Sequence, residues 1–564
     1  MSKLADMDRQ WWKEAVVYQI YPRSFQDSTG NGVGDLRGII NRADYLSSLG
    51  VDVIWLNPIF GSPNADNGYD ISDYRNIMPE FGTMADFDEL LAVLHARGIR
   101  VVLDLVVNHS SDEHPWFKAS RSSRDNPYRD YYHWWPAEKG APPSRWSFFA
   151  EDGSAWRYDA KTDAYYLHYF AEKQPDLNWE NPELRREIYD MMHFWFAKGI
   201  DGFRMDVITF ISKYEGYPAF PQGTTPQQMV DNYYSQGPRL HEFLKEMNRE
   251  VLSHYDVMTV AEGPGTTPQN VLRLVSEDAQ ALNMSYHFEH QGIGVGFRHM
   301  IEEGYGDLVE FKRVMSKWDA ALASDGWNTV YFTNHDHARM VSRWGDDSPA
   351  WRELSSKMLT LYLLSMRGTP YWYMGDEIGM TNIKFERIED YQDLMTINRY
   401  HLFEQEGGDT QAFLESQKIT GRDNARTPIQ WDDSDGAGFT TGKPWLAINE
   451  NRAQINVAAQ EDDPDSVLNF FRRMVRLRKS DLTLVYGGYK LLFEDHTAAY
   501  AYVRELDGRR LLVLCNFSSE PISLLLAEDQ QPSGAPLINN YPQFECTDGA
   551  ASLEPWQGVI VLLT

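Results

Sequence analysis

The stretch Gly202-Phe203-Arg204-Met205-Asp206-Val207 sets an arginine and a carboxylate two positions apart in an apolar run. In a β-strand, residues i and i+2 point to the same face, so Arg204 and Asp206 project together. A neighbouring guanidinium favours the ionised carboxylate, the form that a carboxylate nucleophile needs. Taken alone, the pair equally describes a structural ion pair. Two later runs repeat the design: Val257-Met258-Thr259-Val260-Ala261-Glu262 and Val330-Tyr331-Phe332-Thr333-Asn334-His335-Asp336. Each is apolar and ends in an acid. Three acids at strand ends point to a site that works with carboxylates.

These acids need a scaffold, and the chain alternates short apolar runs with segments of helical period. Val16-Val17-Tyr18-Gln19-Ile20-Tyr21, Val53-Ile54-Trp55-Leu56 and Val101-Val102-Leu103-Asp104-Leu105-Val106-Val107 read as strands. Residues 84–94 and 44–49 read as helices, closed by Gly98 and Gly50. Repeated βα units imply a parallel sheet, and about eight of them close a barrel whose chemistry sits at the strands' C-terminal ends. Gly368-Thr369-Pro370-Tyr371-Trp372-Tyr373 reads as the last strand. Residues 110–176, rich in Trp, Tyr, Pro and charge, are too long for a βα loop and read as a subdomain inserted after strand three. From residue 486 the pattern turns to alternating strands, a small antiparallel β-domain. The expected fold is an α/β (β/α)8 TIM barrel over 1–109 and 177–485, with inserted subdomain B at 110–176 and a C-terminal β-sandwich at 486–564.

Composition narrows the partners. Among 564 residues, 53 Lys and Arg oppose 82 Asp and Glu, so the formal charge is −29. Such a surface repels phosphate backbones and anionic lipid, which argues against nucleic acid and membranes. Cys515 and Cys546 are too few for a disulfide framework or a zinc site. The first eight residues carry no apolar signal core, and no stretch reaches bilayer length, so a cytoplasmic location is expected.

Asp104-Leu105-Val106-Val107-Asn108-His109, Gly202-Phe203-Arg204-Met205-Asp206, Ala261-Glu262 and Asn334-His335-Asp336, in this order, resemble the four ordered regions of the α-amylase superfamily. Asp66-Asn67-Gly68-Tyr69-Asp70, Gln174-Pro175-Asp176-Leu177-Asn178-Trp179 and Gly421-Arg422-Asp423-Asn424-Ala425-Arg426 make the chain similar to the oligo-1,6-glucosidase group of retaining α-glucosidases. The resemblance spans essentially the whole chain and implies Asp206 as nucleophile, Glu262 as acid/base and Asp336 as the third acid, gripping sugar hydroxyls. It implies that Arg204, His109 and His335 serve the same sugar ring. Asp66 and Arg422 would clamp its far hydroxyls, Tyr69 would stack under it, and Phe149, Phe170 and Gln174 would line the mouth. Packing for Phe149, and an Arg422–Asp423 ion pair on a loop, are the structural alternatives.

The resemblance also implies small oligosaccharides as substrates, a monomer or homodimer, and no cofactor for catalysis. A structural Ca²⁺ or Mg²⁺ would lie in the loop 27–35, through Asp27, Thr29, Asn31 and Asp35 and the carbonyl of Val33. Thr29 and Asn31 stand where relatives commonly have Asn and Asp. Val207 accompanies α-1,6 preference among relatives, whereas alanine or threonine accompanies α-1,4 activity; isomaltose and short isomaltooligosaccharides are the expected substrates. Rival readings are an α-1,4-specific α-glucosidase, a trehalose-6-phosphate hydrolase with Lys213 in a local phosphate site, and a sucrose isomerase. The last needs an arginine-rich loop that residues 383–390 do not match. Transglucosylation would accompany any covalent glucosyl-enzyme. A non-catalytic transporter-accessory homologue would carry a membrane anchor and a damaged acid set, and neither is seen in this sequence. His337-Ala338 and Met374-Gly375-Asp376-Glu377 depart from the group's usual Gln-Pro or Asn-Pro and Gln-Gly-Glu-Glu, and both are expected near the leaving-group side.

Overall fold

A computed structural model describes residues 9–294 and 307–563, apart from the side chain of Pro226; the N-terminal stretch read above for a signal core lies outside the described residues. Eight parallel strands form one sheet: β1 (Val17–Ile20), β2 (Val53–Leu56), β3 (Arg100–Val106), β4 (Gly202–Asp206), β5 (Met258–Glu262), β6 (Met284–Tyr286), β7 (Thr329–Val330) and β8 (Thr369–Tyr373). Strands pair in chain order from β1 to β6, and β8 pairs with both β1 and β7. A parallel bridge between Ser285 and Asn328 joins β6 to β7 and closes the barrel. Helices follow the strands, among them Met84–His95, Pro182–Lys198, Leu240–Glu250, Leu308–Leu322, Arg352–Ser365 and Val467–Ser480. Their starts are written locally: Thr83 and Asp86 form a reciprocal capping box, and Asn181 caps the helix that Pro182 opens. Gly50 and Gly199 end their helices in the left-handed conformation, at φ 78° and 104°.

Register matters most for the site. Asp104 on β3 pairs with Arg204 on β4, and Arg204 with Val260 on β5. Glu262 pairs with Tyr286 on β6. Asp104, Arg204 and Asp206 therefore stand on one face, with Asp206 and Glu262 as the last residues of their strands. The seventh strand differs from expectation. It stops at Val330, six residues before Asp336, and the chain then turns at Asn334, whose Oδ1 accepts the Asp336 amide at 2.8 Å. Asp336 is thus a loop acid.

Between β3 and β4, Trp134–Pro136, Trp156–Asp159 and Ala164–Leu167 make a three-stranded antiparallel sheet. Past the barrel, Ala499–Leu506, Arg509–Asn516 and Gly558–Leu562 sit in a five-stranded sheet, and a three-stranded sheet shares its apolar core. Among the described residues no helix is long and apolar enough to cross a membrane.

Gly202 opens β4 where β5 runs very close: a Cβ there would lie 2.0 Å from the carbonyl oxygen of Met258. The Gly202→Ala variant is therefore expected to push β4 and β5 apart, costing about 1–3 kcal/mol. Thermal unfolding should show a lowered Tm, and a Tm equal to the wild type would refute the close-approach argument.

Candidate active site

A single guanidinium organises the floor of the barrel mouth. Arg204 is fully buried. Its Nη1 donates to Asp104 Oδ1 at 2.5 Å and to Asp206 Oδ1 at 2.7 Å, and its Nε donates to the Tyr286 hydroxyl at 2.7 Å. Nη2 lies 2.8 Å from Glu262 Oε2. Three carboxyls thus share one cation inside the protein. Were all three ionised, two negative charges would be left uncompensated, which burial strongly disfavours. Burial pushes the Asp206 carboxyl up to about 7, with Arg204 opposing. Burial raises Glu262 further, to about 8, the neighbouring Asp206 and Asp336 charges adding to it and Arg204 again opposing. The arginine alone does not set Asp206, contrary to the reading of the local motif; it competes with burial, and the proton stays preferentially on Glu262.

Backbone geometry finishes the arrangement. Val207 adopts the left-handed conformation (φ 34°, ψ 39°), which is costly for a β-branched residue. That turn aims its amide at Glu262 Oε2, 2.8 Å away. Oε2 thus accepts the Val207 amide and lies against the guanidinium, so the proton of Glu262 belongs on Oε1. Likewise, the arginine holds Asp206 through Oδ1.

A second cluster fixes Asp336. Its Oδ1 lies 2.5 Å from Arg422 Nη2 and 3.1 Å from Arg426 Nη2, and Oδ2 lies 3.2 Å from His335 Nε2. Both arginines also reach Asp393 at 3.4 Å, giving two cations to two anions. Burial would raise the Asp336 carboxyl, but Arg422, His335 and Arg426 outweigh it and hold it well below the usual range. Arg422 therefore pairs with Asp336 and Asp393. The loop ion pair with Asp423 is not formed, because Asp423 accepts the Gln392 and Asp393 amides instead.

The remaining candidates gather around these clusters. Gln174 Nε2 donates to Asp66 Oδ2 at 2.9 Å and lies 3.3 Å from His109 Nε2. Tyr69 donates to Asp104 Oδ2 at 2.9 Å while its ring stacks on His335 at 5.2 Å between centroids. Phe149 packs on Phe170 at 5.2 Å, with the Arg422 guanidinium 5.4 Å from its ring centre. Gln174 and Phe149 are both buried, so of the three expected mouth residues only Phe170 lines the adjoining cavity. Burial pushes His109 down to about 3, so it is neutral.

That cavity, about 640 Å³, opens beside Glu262 and Val207 and runs past Phe148, Phe170, Phe210, Phe288 and His337. Among the described residues, Lys317 and Arg343 are the cations in its wall, against Asp231, Glu262, Glu289 and Glu310. Lys213 contributes nothing there: its ammonium is buried between Asp176 at 2.7 Å, Asn108 at 2.8 Å and the Phe210 carbonyl at 2.7 Å. Of the two departures noted in the sequence, His337-Ala338 reaches the cavity wall. Asp376 and Glu377 do not, since Asp376 faces Arg339 at 3.7 Å and Glu377 accepts the Tyr18 and Tyr45 hydroxyls at 2.7 Å.

The loop 27–35 lies apart from these groups. Asp27 accepts the amides of Thr29, Gly30 and Gly32 and the Thr440 hydroxyl. Asn31 accepts the Val33 amide, and Asp35 caps the next helix through the Gly38 amide. Its all-oxygen donor set suits a hard cation, although the same oxygens already close the loop through hydrogen bonds.

Sequence reading alone missed Asp393 and Arg426, which complete the second cluster, and gave Asp104 and Tyr286 no role. Asp104 carried a signal, being a charge inside an otherwise apolar buried strand.

A closed parallel barrel with a carboxylate cluster at the C-terminal ends of β4 and β5 is the architecture of barrel glycosidases. Residues 19–487 match the alpha-amylase family, alpha amylase catalytic domain. The chain is 52% identical over 556 residues to an oligo-1,6-glucosidase of Parageobacillus thermoglucosidasius, covering 98% of each chain, and 49% identical to one of Bacillus cereus, covering 99% and 100%. Among solved structures it is similar to an isomaltulose synthase from a Klebsiella species, with 43% identity, TM-score 0.95 and coverage of 99% and 100%. The chain belongs to the alpha-amylase family, and is a glycoside hydrolase.

Asp66 offers a test of the electrostatics. Burial pushes its carboxyl up to about 7, with Arg422 and Arg426 opposing. A folded-state value raised above the unfolded one (about 3.9) costs nothing below both. Stability is then lost as pH rises through the interval, and the loss is complete above about 7. Asp66→Asn removes this loss, so its Tm relative to wild type should climb by several degrees between pH 4 and pH 8. A constant difference across that range would show that Asp66 is ionised throughout.

Proposed function

We propose that the protein is an exo-acting, retaining α-glucosidase that hydrolyses terminal α-1,6 bonds of isomaltose and short isomaltooligosaccharides. The observation that carries this reading is the sharing of Arg204 by Asp206 and Glu262. The two carboxyls hang from adjacent amino groups of one guanidinium, a closeness that favours the ~5 Å retaining pair over the ~6.5–9.5 Å inverting one. In the first step Asp206 Oδ2 bonds to the anomeric carbon, the glycosidic C–O bond breaks, and the Glu262 Oε1 proton goes to the leaving oxygen. In the second, Glu262 takes a proton from water, whose oxygen displaces Asp206. The protein's own side chains supply both steps. Asp66, His109, His335, Asp336 and Arg422 hold the glucose hydroxyls in a buried end, which is what an exo-enzyme needs. Interception of the glucosyl-enzyme by a sugar hydroxyl would give transglucosylation.

Val207 favours the α-1,6 linkage. Its branched side chain forms part of the cavity wall next to Glu262 and narrows the leaving-group side. The surplus of acids among the described residues of that wall and the engagement of Lys213 disfavour a phosphorylated disaccharide. A cytoplasmic location fits small-sugar substrates, and the loop 27–35 is proposed as the seat of a structural Ca²⁺ or Mg²⁺ remote from the chemistry.

Initial rates on isomaltose, maltose, sucrose, trehalose and trehalose-6-phosphate test the reading. Isomaltose should lead maltose, Asp206→Asn should lose at least about 10³-fold in kcat, and Val207→Thr should shift the isomaltose-to-maltose ratio by about 10–200-fold towards maltose. A maltose preference in the wild type would sink the linkage assignment and leave the retaining chemistry standing. The pH dependence of kcat/KM should be a narrow bell, falling below about 7 as Asp206 takes up a proton and above about 8 as Glu262 loses its own. Glu262→Gln should abolish the alkaline limb.

A further inference from the structure

His337 stands in the cavity wall together with Glu262 and Val207, so a group leaving with the proton of Glu262 departs past its ring. The hydrogen-bond network settles the orientation of that ring's proton. The backbone amide of Asp336 can only donate, and it donates to Asn334 Oδ1 at 2.8 Å, which identifies that atom as the oxygen. The same oxygen lies 2.8 Å from His337 Nδ1. Two atoms in contact with one acceptor must both carry hydrogen, so Nδ1 is protonated. Nε2 then bears a lone pair and is the ring's remaining polar atom. Burial pushes the imidazole down to about 4, Arg422 and Arg343 adding to this and Asp336 opposing, which keeps the single-proton form at neutral pH. Phe288 and Tyr331 flank the ring at 5.9 and 6.2 Å and fix its plane. Ala338, also in the wall, contributes only a methyl group beside it.

We propose that His337 is a specificity-determining residue whose Nε2 accepts a hydrogen bond from a hydroxyl of the sugar on the leaving-group side. This rests on the α-glucosidase reading above and deepens it. A sugar can donate such a bond. An aromatic leaving group without a hydroxyl cannot, so the two kinds of glucoside should respond differently when the acceptor is removed. Discrimination of this kind is large where a site is built to bond a hydroxyl, because the unmatched partner is left unpaired.

The experiment compares kcat/KM for p-nitrophenyl α-glucoside and for whichever disaccharide the wild type prefers, in the wild type, His337→Phe and His337→Gln. His337→Phe keeps a ring of similar size and should lose about 10-fold or more on the disaccharide, with p-nitrophenyl α-glucoside changed less than about twofold. His337→Gln, whose carbonyl oxygen accepts, should recover most of the disaccharide rate. Parallel losses on both substrates would overturn the proposal and assign His337 to the support of Asn334 and Asp336. Unchanged disaccharide turnover in His337→Phe would overturn it too. A wild type inactive on p-nitrophenyl α-glucoside and on every disaccharide would instead sink the glucosidase reading itself.

Discussion

Everything at the barrel mouth depends on one buried cation being shared by three acids. Arg204 is paired in register with Asp104, stands two residues before Asp206 and faces Glu262 from the neighbouring strand. A lone guanidinium in that place would be severely penalised, and so would any of the carboxyls without it. The cluster accommodates one cation and about two negative charges, which leaves a single proton to be placed. The proposed chemistry respects that balance. When Asp206 becomes an ester it gives up its charge, and Glu262 acquires one as its proton leaves. The negative charge moves a few ångströms around a stationary arginine, and the total stays constant through the cycle. A preorganised environment of this kind needs little rearrangement at the moment of reaction.

The second cluster is built on different terms. Asp336, Asp393, Arg422 and Arg426 pair two charges with two, so Asp336 stays ionised. Its members come from the loop after β7 and from the long excursion after β8. There Asp393 caps the helix Leu394–Gln405 and Arg422 precedes the short helix Asp423–Arg426, and charge pairing ties these helix ends to the Asp336 loop, with Arg426 Nε also donating to the His335 carbonyl at 2.8 Å. In the proposed mechanism Asp336 and Arg422 are thus glucose-contacting groups held by ion pairs outside the barrel strands, whereas the reacting acids sit on strands.

That division explains what could be read from the sequence. The strands β1 to β5 were legible because buried parallel strands are continuous apolar runs closed by turn residues, and the acids at the ends of β4 and β5 stood out against them. The two-residue strand β7 was overestimated: Tyr331-Phe332-Thr333 is apolar enough for a strand, but it leaves the sheet after Val330 and the chain turns at Asn334. Asp393 and Arg426 were invisible as a pair because 33 positions separate them and no period links residues of two different helices. The charge balance also escaped local reading, since an Arg-x-Asp motif shows the attraction between two residues and not the burial that opposes it. Lys213 failed for the same reason: the sequence shows a cation, and only the fold shows Asp176 beside it.

Val207 joins two properties that a protein under selection would otherwise adjust separately. Its side chain forms part of the wall on the leaving-group side, while its backbone, strained into the left-handed region, delivers the amide that steadies one oxygen of Glu262. Any replacement changes the shape offered to the departing group and also the ease with which the backbone keeps that turn. A less branched residue relaxes the strain; a residue that rejects the turn withdraws the amide and loosens the grip on the proton. On the proposed function, linkage preference and acid strength are inherited together at one position, and a lineage drifting from one bond type to another would carry a displaced pH optimum with it.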